Sequence, residues 1–261
     1  MRIWWQSFVD LDQSEDYRER LTAYLREIAE PGTEVDLAGI SPPVRGFGRL
    51  AELRCATIAV DNALDAADQG YDAFAFGHFQ DSGLYEARSA VDIPVVGLGE
   101  STLHWAAQLG RHLALVSIDP VFDRFHLEQA DRYGLGSRVA SVTGLGAAVE
   151  DFAPAFAGDS VAYAALLDRF RRLVEPLVEH GADVIVPAGA LPSLLFAGER
   201  GFTVRGAPVV NSVAVALKQT ELAVRLRQLT GIGPSRGPSF AAAPSEAIED
   251  FRRLLREGRR R

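Results

Sequence analysis

Gly70-Tyr-Asp-Ala-Phe-Ala-Phe-Gly-His78 decides the fold, because Gly181-Ala-Asp-Val-Ile-Val-Pro-Ala-Gly189 repeats its plan 111 positions later. Each segment runs from a glycine through an aspartate into four apolar residues and then a loop, the pattern of a short strand buried on both faces. Two further pairs keep the same order. Ile93-Pro-Val-Val96 is echoed by Ala207-Pro-Val-Val210, and Ser7, after the first apolar run, is echoed by Ser117. One reading is that the chain contains a whole sheet domain twice, since this spacing is far longer than a solenoid repeat. The other is that any α/β chain yields Gly-x-Asp-apolar turns of this kind.

Working outward, expected strands at 3–5, 34–38, 73–76, 95–97 and 113–116 alternate with stretches of helical period. That alternation predicts an α/β protein with mostly parallel open sheets flanked by helices. A helix is expected from Ser14 or Glu15 to about Ile28, with Tyr17, Leu21, Tyr24, Leu25 and Ile28 on one face and Pro31-Gly32 as its stop. Another is expected over 50–67. A last one, over 245–256, has Ser245 as cap and Ile248, Phe251, Leu254 and Leu255 facing inward. If the chain is doubled, it forms two pseudo-symmetric lobes, residues 1–98 plus 213–261 and residues 99–212, with a ligand cleft between them at the C-terminal edges of the strands. Residues 230–244, rich in Gly, Pro and Ser, read as a flap or a plain surface loop.

The bulk numbers bound the function. With 261 residues, 48% hydrophobic and 24% charged, the chain can fold a sizeable core in two lobes. A formal net charge of −8 argues against a nucleic-acid partner, which calls for a basic stripe. The one dense basic run, residues 252–261, reads as a solvated helix end. No apolar run reaches bilayer length and residues 1–10 lack a secretory core, so the expected location is the cytoplasm, with no membrane partner. Cys55 is the single cysteine; it excludes an internal disulfide and, in an Ala-rich helical stretch, reads as a small buried apolar residue.

Three stretches resemble the aspartate/glutamate/hydantoin racemase superfamily, which includes hydantoin and allantoin racemases, maleate isomerase and arylmalonate decarboxylase. The first spans residues 72–99, with Asp81-Ser-Gly-Leu84 and Ile93-Pro-Val-Val-Gly-Leu-Gly-Glu100. The second is Tyr133-Gly-Leu followed by Arg138-Val-Ala-Ser-Val, and the third runs from Gly181 to Gly189 and on to Ala207-Pro-Val-Val-Asn and Lys218-x-x-Glu221. The resemblance covers residues 1 to about 225 and implies that family's pseudo-symmetric fold. It also implies a proton exchanged at carbon between two cysteines, one per lobe, a task for which thiols are readily tuned. At the matching positions this chain has His78 and Gly189, and its neighbours there, Gly77, Phe79, Ala188 and Ala190, supply no thiol either. The family's Asn-Pro-Asn after the first strand is replaced by Gln6-Ser7-Phe8.

The candidate catalytic residues are therefore His78, Ser117 and Glu100. An imidazole titrates near neutrality and serves as general acid or base, although a strand-end histidine also fits a loop carbonyl. Ser117 reads as a holder of a substrate carboxylate or a second proton carrier. Glu100 and Ser101 open a helix whose free N–H groups cap it or bind an anion. Gln6, Ser7, Phe79, Ser101, Gly189, Ala190, Asn211 and Ser212 are the expected substrate-binding positions, with helix capping the other reading for Ser101, Asn211 and Ser212. His104, His112, His126 and His180 lack the spacing of a metal site, and no metal or cofactor is expected.

The leading expectation is an enzyme acting on a small carboxylic acid, amide or cyclic imide by one-sided proton transfer, of isomerase, lyase or decarboxylase type. The alternatives are a racemase using an unrecognised second base, a binding protein that has lost catalysis, and a hydrolase built on Cys55. The partner is a small molecule, and self-association into a homo-oligomer is left open.

Overall fold

All four residues of Ala73–Phe76 are buried, and so are all four of Val184–Pro187, so each strand is covered on both faces as its apolar run requires. The computed structural model describes residues 1–258. The first half runs β1 (Arg2–Gln6), α1 (Glu15–Ile28), β2 (Glu34–Ala38), α2 (Arg49–Asp68), β3 (Ala73–Phe76), α3 (Leu84–Ala90), β4 (Val95–Gly97) and α4 (Leu98–Leu109). The second runs β5 (Leu113–Ser117), α5 (Asp123–Arg132), β6 (Val139–Gly144), α6 (Ala153–Phe156), α7 (Ser160–Glu179), β7 (Val184–Pro187) and α8 (Ala190–Leu195). A small hairpin, β8 (Thr203–Val204) and β9 (Ala207–Pro208), leads to α9 (Ser212–Thr230) and α10 (Ser245–Gly258).

The two sheets have one topology. The first is ordered β2-β1-β3-β4 and the second β6-β5-β7, every pairing parallel, and Val209 bridges Ile185 in parallel where a fourth strand would add. Register is preserved as well: Trp5 is paired with Ala75, and Leu115 with Val186. This correspondence favours the doubled reading over a chance likeness of turns.

The halves are not separate globules. One apolar core runs from Ile3, Trp5 and the α1 face through Leu98 and Leu103 of α4 and Val213 and Leu217 of α9 into Leu115, Ile185 and Phe170. A second cluster, on the other face of the first sheet, joins Phe74 and Phe76 to α2 and α3 and receives Ile248 and Phe251 of α10. Burying each of these phenylalanines contributes about 1.5–3 kcal/mol.

The structure decides one local expectation and changes two. Of the two readings of residues 230–244, the surface loop holds: the segment is strapped to α3, with Arg236 donating to the carbonyls of Arg88 (2.8 Å) and Val91 (2.7 Å) and the Phe240 ring against Tyr85, and it borders a hollow beside α4, away from His78. Leu254 faces solvent at 70% exposure, since α10 lies on only one side of α2. The basic run begins with an anchor: Arg252 pairs with Asp65 (3.2 Å) and Asp68 (2.8 Å) of α2. Arg259, Arg260 and Arg261 lie outside the described residues. Among the described residues no helix is long and apolar enough to cross a membrane.

Candidate active site

His78 is the second residue beyond β3, and Gly77 brings it there. A β-carbon at Gly77 would stand 2.2 Å from Trp5 Nε1, so only glycine lets β3 leave the sheet against that indole. The His78 ring lies flat on Phe8, with centroids 4.2 Å apart and planes 5° from parallel. Its Nε2 reaches both carboxylate oxygens of Glu52, at 3.1 and 2.9 Å, and the Ser82 hydroxyl donates to the same carboxylate. Glu52 lies in the first turn of α2, where a helix favours negative charge. Burial alone would raise its carboxyl, but the His78 imidazole and the Ser82 hydroxyl hold it below the ordinary value. Beneath, on α5, His126 is fully buried with its edge toward Phe79 and Nδ1 3.2 Å from Gln129 Oε1; burial pushes it down to about 4, so it is neutral.

His78 opens onto a cleft of about 100 Å³ between the ends of β3 and β7. Phe8, Tyr17 and Gln80 line it from the first half, and Ile118, Phe122, Gly189 and Leu191 from the second. Phe47, from the β2–α2 connection, crosses to pack against Phe122, the rings tilted by 56° with centroids 4.8 Å apart. Among the described residues, no Lys, Arg, Asp or Glu side chain lines the cleft; its polar side chains are His78, Tyr17 and Gln80. The Tyr17 hydroxyl is 3.0 Å from Ser7 Oγ, and burial pushes it up to about 12, keeping it protonated.

Of the residues expected from sequence, the fold brings His78, Gly189 and Ala190 to one cleft. Glu100 and Ser101 are not there; they line a separate hollow of about 560 Å³ with His104 and Trp105. Glu100 is turned away because Arg88 takes its carboxylate in a two-point ion pair, 3.0 Å at one contact. The N–H groups that α4 was expected to offer an anion are already used by buried Asp81, which accepts from Gly99 (3.0 Å) and Glu100 (2.6 Å) and also from Tyr133 (2.7 Å).

The remaining strand-end positions lie behind the cleft wall. Gln6 is fully buried and donates to the carbonyls of Ser7 and Gly39. Ser7 reaches the cleft only through Tyr17. Ser117 donates to the Asp119 carbonyl at 2.9 Å, Phe79 packs edge-on against His126, and Ser212 donates to the Pro187 carbonyl at 2.9 Å. Asn211 caps α9 by accepting from the Ala214 N–H at 3.0 Å. Cys55 is buried outside the cleft lining, and burial, with the Glu52 charge, pushes its thiol up to about 12, which does not suit a nucleophile. Among the described residues, no group of three His, Cys, Asp or Glu is placed to hold a metal ion. Glu52, Tyr17 and Gln80 are the site residues that sequence reasoning did not find.

The family model for Asp/Glu/Hydantoin racemase matches residues 10–220, and the chain belongs to that family. A hydantoin racemase of Pseudomonas sp. (strain NS671) is 29% identical over 163 residues, 62% of this chain and 62% of that protein, so the match spans less than two thirds of the curated relative. An allantoin racemase from Pseudomonas fluorescens is 26% identical, with a TM-score of 0.74 over 93% of this chain and 97% of its own. The allantoin racemase from Klebsiella pneumoniae shares the fold at 23% identity, with a TM-score of 0.75 over 94% of each chain.

Proposed function

We propose that this family member is an enzyme of the cofactor-independent isomerase or lyase type that moves a proton at a carbon of a small, uncharged cyclic amide or imide, with His78 as the acid/base. The observation that carries the reading is the His78 imidazole in a mostly apolar, uncharged cleft that it shares with Gly189. The wall supplies no cation for a free carboxylate, whereas a neutral ring with amide edges suits one histidine, one tyrosine hydroxyl and one carboxamide among apolar side chains. The relatives named for hydantoin and allantoin point to the same class of ring. A cleft of about 100 Å³ holds a ring with few substituents.

Chemistry from one face follows from the same geometry. Imidazole takes the proton from the carbon beside the carbonyl, and the C–H electron pair moves onto the carbonyl oxygen. The Tyr17 hydroxyl or the Gln80 amide donates to that oxygen, and the proton returns from His78. Opposite, Ala188, Gly189 and Ala190 offer no proton carrier, so exchange outpaces inversion. A single buried cysteine also suits a reducing cytoplasmic compartment.

Incubating the protein with allantoin and single-enantiomer 5-substituted hydantoins in deuterated water tests this. NMR should show deuterium entering at carbon faster than optical rotation decays, and His78→Ala should abolish that entry. Tight ligand binding with no exchange would make the chain a binding protein instead.

A further inference from the structure

We propose that Glu52 is a positioning residue that fixes His78 with its proton on Nε2, leaving the Nδ1 lone pair as the group that works in the cleft. The inference rests on the acid/base reading of His78 and deepens it. His78 stands between two hollows: it lines the cleft with Gly189, while Glu52 and Ser82 line the neighbouring one, so Nε2 and its carboxylate partner point away from the cleft. Nδ1 makes no hydrogen bond to any described residue. Phe8, flat against the ring, limits its rotation.

A carboxylate on one imidazole nitrogen selects the tautomer and steadies the imidazolium that forms when the other nitrogen takes a proton. Glu52 is built for this. It is held by the Ser82 hydroxyl, sits in a helix first turn, and is only 16% exposed. The groups facing the pair are Ser82 from the β3–α3 turn, the neutral His126 from α5 and the protonated Cys55 thiol from α2 itself. Arg49 of the same helix is engaged by Glu128 at 2.8 Å, which leaves the Nε2–H of His78 and the Ser82 hydroxyl as the partners of Glu52. During turnover the Nε2–H stays where it is. Nδ1 gains the substrate proton as the C–H electron pair moves to the carbonyl, and gives it back when the C–H bond re-forms.

Nitrogen NMR on ¹⁵N-histidine-labelled resting protein reads this without substrate. Wild type should show His78 with a protonated Nε2 and a bare Nδ1, and Glu52→Gln, which keeps the shape and removes the charge, should move the His78 titration down by about one pH unit. In exchange assays Glu52→Gln should lower kcat on the order of 10- to 100-fold with KM little changed, and carry the acid limb of kcat/KM downward. Glu52→Asp should recover part of the loss. An unaltered tautomer and an unmoved His78 titration in Glu52→Gln would overturn the inference. Exchange that survives His78→Ala would overturn the proposed function instead, while leaving the nitrogen measurement to report on Glu52.

Discussion

The ends of β3 and β7 are the same backbone device with different contents. Both strands are buried on both faces, both pair with the first strand of their sheet in the same register, and both deliver a residue to the cleft two positions past their last. At β3 that residue is an imidazole, with Glu52 and Ser82 behind it. At β7 it is Gly189, followed by Ala190, Leu191 and Pro192. The charged support is one-sided: Glu52 and Asp81 gather under the first strand end, with Ser82 and, from α5, Gln129, whereas the β7 end has the neutral hydroxyls of Ser193 and Ser212 on the Pro187 carbonyl. The two sheets share one fold while the imidazole and its carboxylate stand at one strand end, which a sequence repeat by itself does not announce.

The sharpest way to break this comparison is His78→Ala. A lost general base costs on the order of 10²- to 10⁴-fold, so deuterium entry into a hydantoin ring should fall by that factor with the thermal transition little moved.

Acid should act next. His126, buried and neutral, titrates in the folded protein at about 4, below the value near 6.5 of an exposed imidazole. Between those values the unfolded chain binds a proton that the folded chain refuses, so stability is complete above pH 6.5 and is lost as pH falls. The loss from this group should approach about 3 kcal/mol at pH 4. Urea midpoints between pH 7 and 4 should therefore decline less steeply in His126→Phe than in wild type.

A smaller contrast concerns the strand exits. Ala188 stands where Gly77 stands, and the position matching Trp5 is Leu115, which carries no indole. Gly77→Ala should destabilise by about 1–3 kcal/mol through overpacking against Trp5. Ala188→Gly should cost less than about 1 kcal/mol; equal effects in calorimetry would contradict the difference drawn between the two exits.

The mildest change would restore the missing half. At Gly189 a β-carbon meets only the Pro192 ring, at 3.2 Å, a close contact. Gly189→Cys should give a second proton carrier and raise inversion relative to exchange by about tenfold, read by polarimetry beside NMR.

The architecture was legible in the sequence because doubly buried strands leave unbroken apolar runs, as in Ala73-Phe-Ala-Phe76 and Val184-Ile-Val-Pro187, and because the two runs are spaced as a repeat. His78 and Gly189 were legible for a related reason: position past a strand places a residue at the edge of the sheet. Position does not say which way a side chain turns. Gln6, Ser117 and Ser212 occupy equivalent edges, yet each hydroxyl or amide is used by a nearby carbonyl. Glu100 was misplaced because its partner Arg88 lies on another helix, and Tyr17 because its ring belongs to the apolar stripe of α1 while its hydroxyl does not. Glu52 had a faint signal, an acid in the first turn of a helix, but its meeting with His78 depends on how α2 packs, and nothing local encodes that.

The unbroken apolar interior shared by the two sheets sets a mechanical limit. A clamp made of independent jaws can spread by swinging on its linkers; here the jaws are fused at the root through α4 and α9. Widening the gap at His78 by rigid rotation would tear contacts inside the protein itself, whereas the half-exposed Phe47 at the rim can turn without breaking that interior.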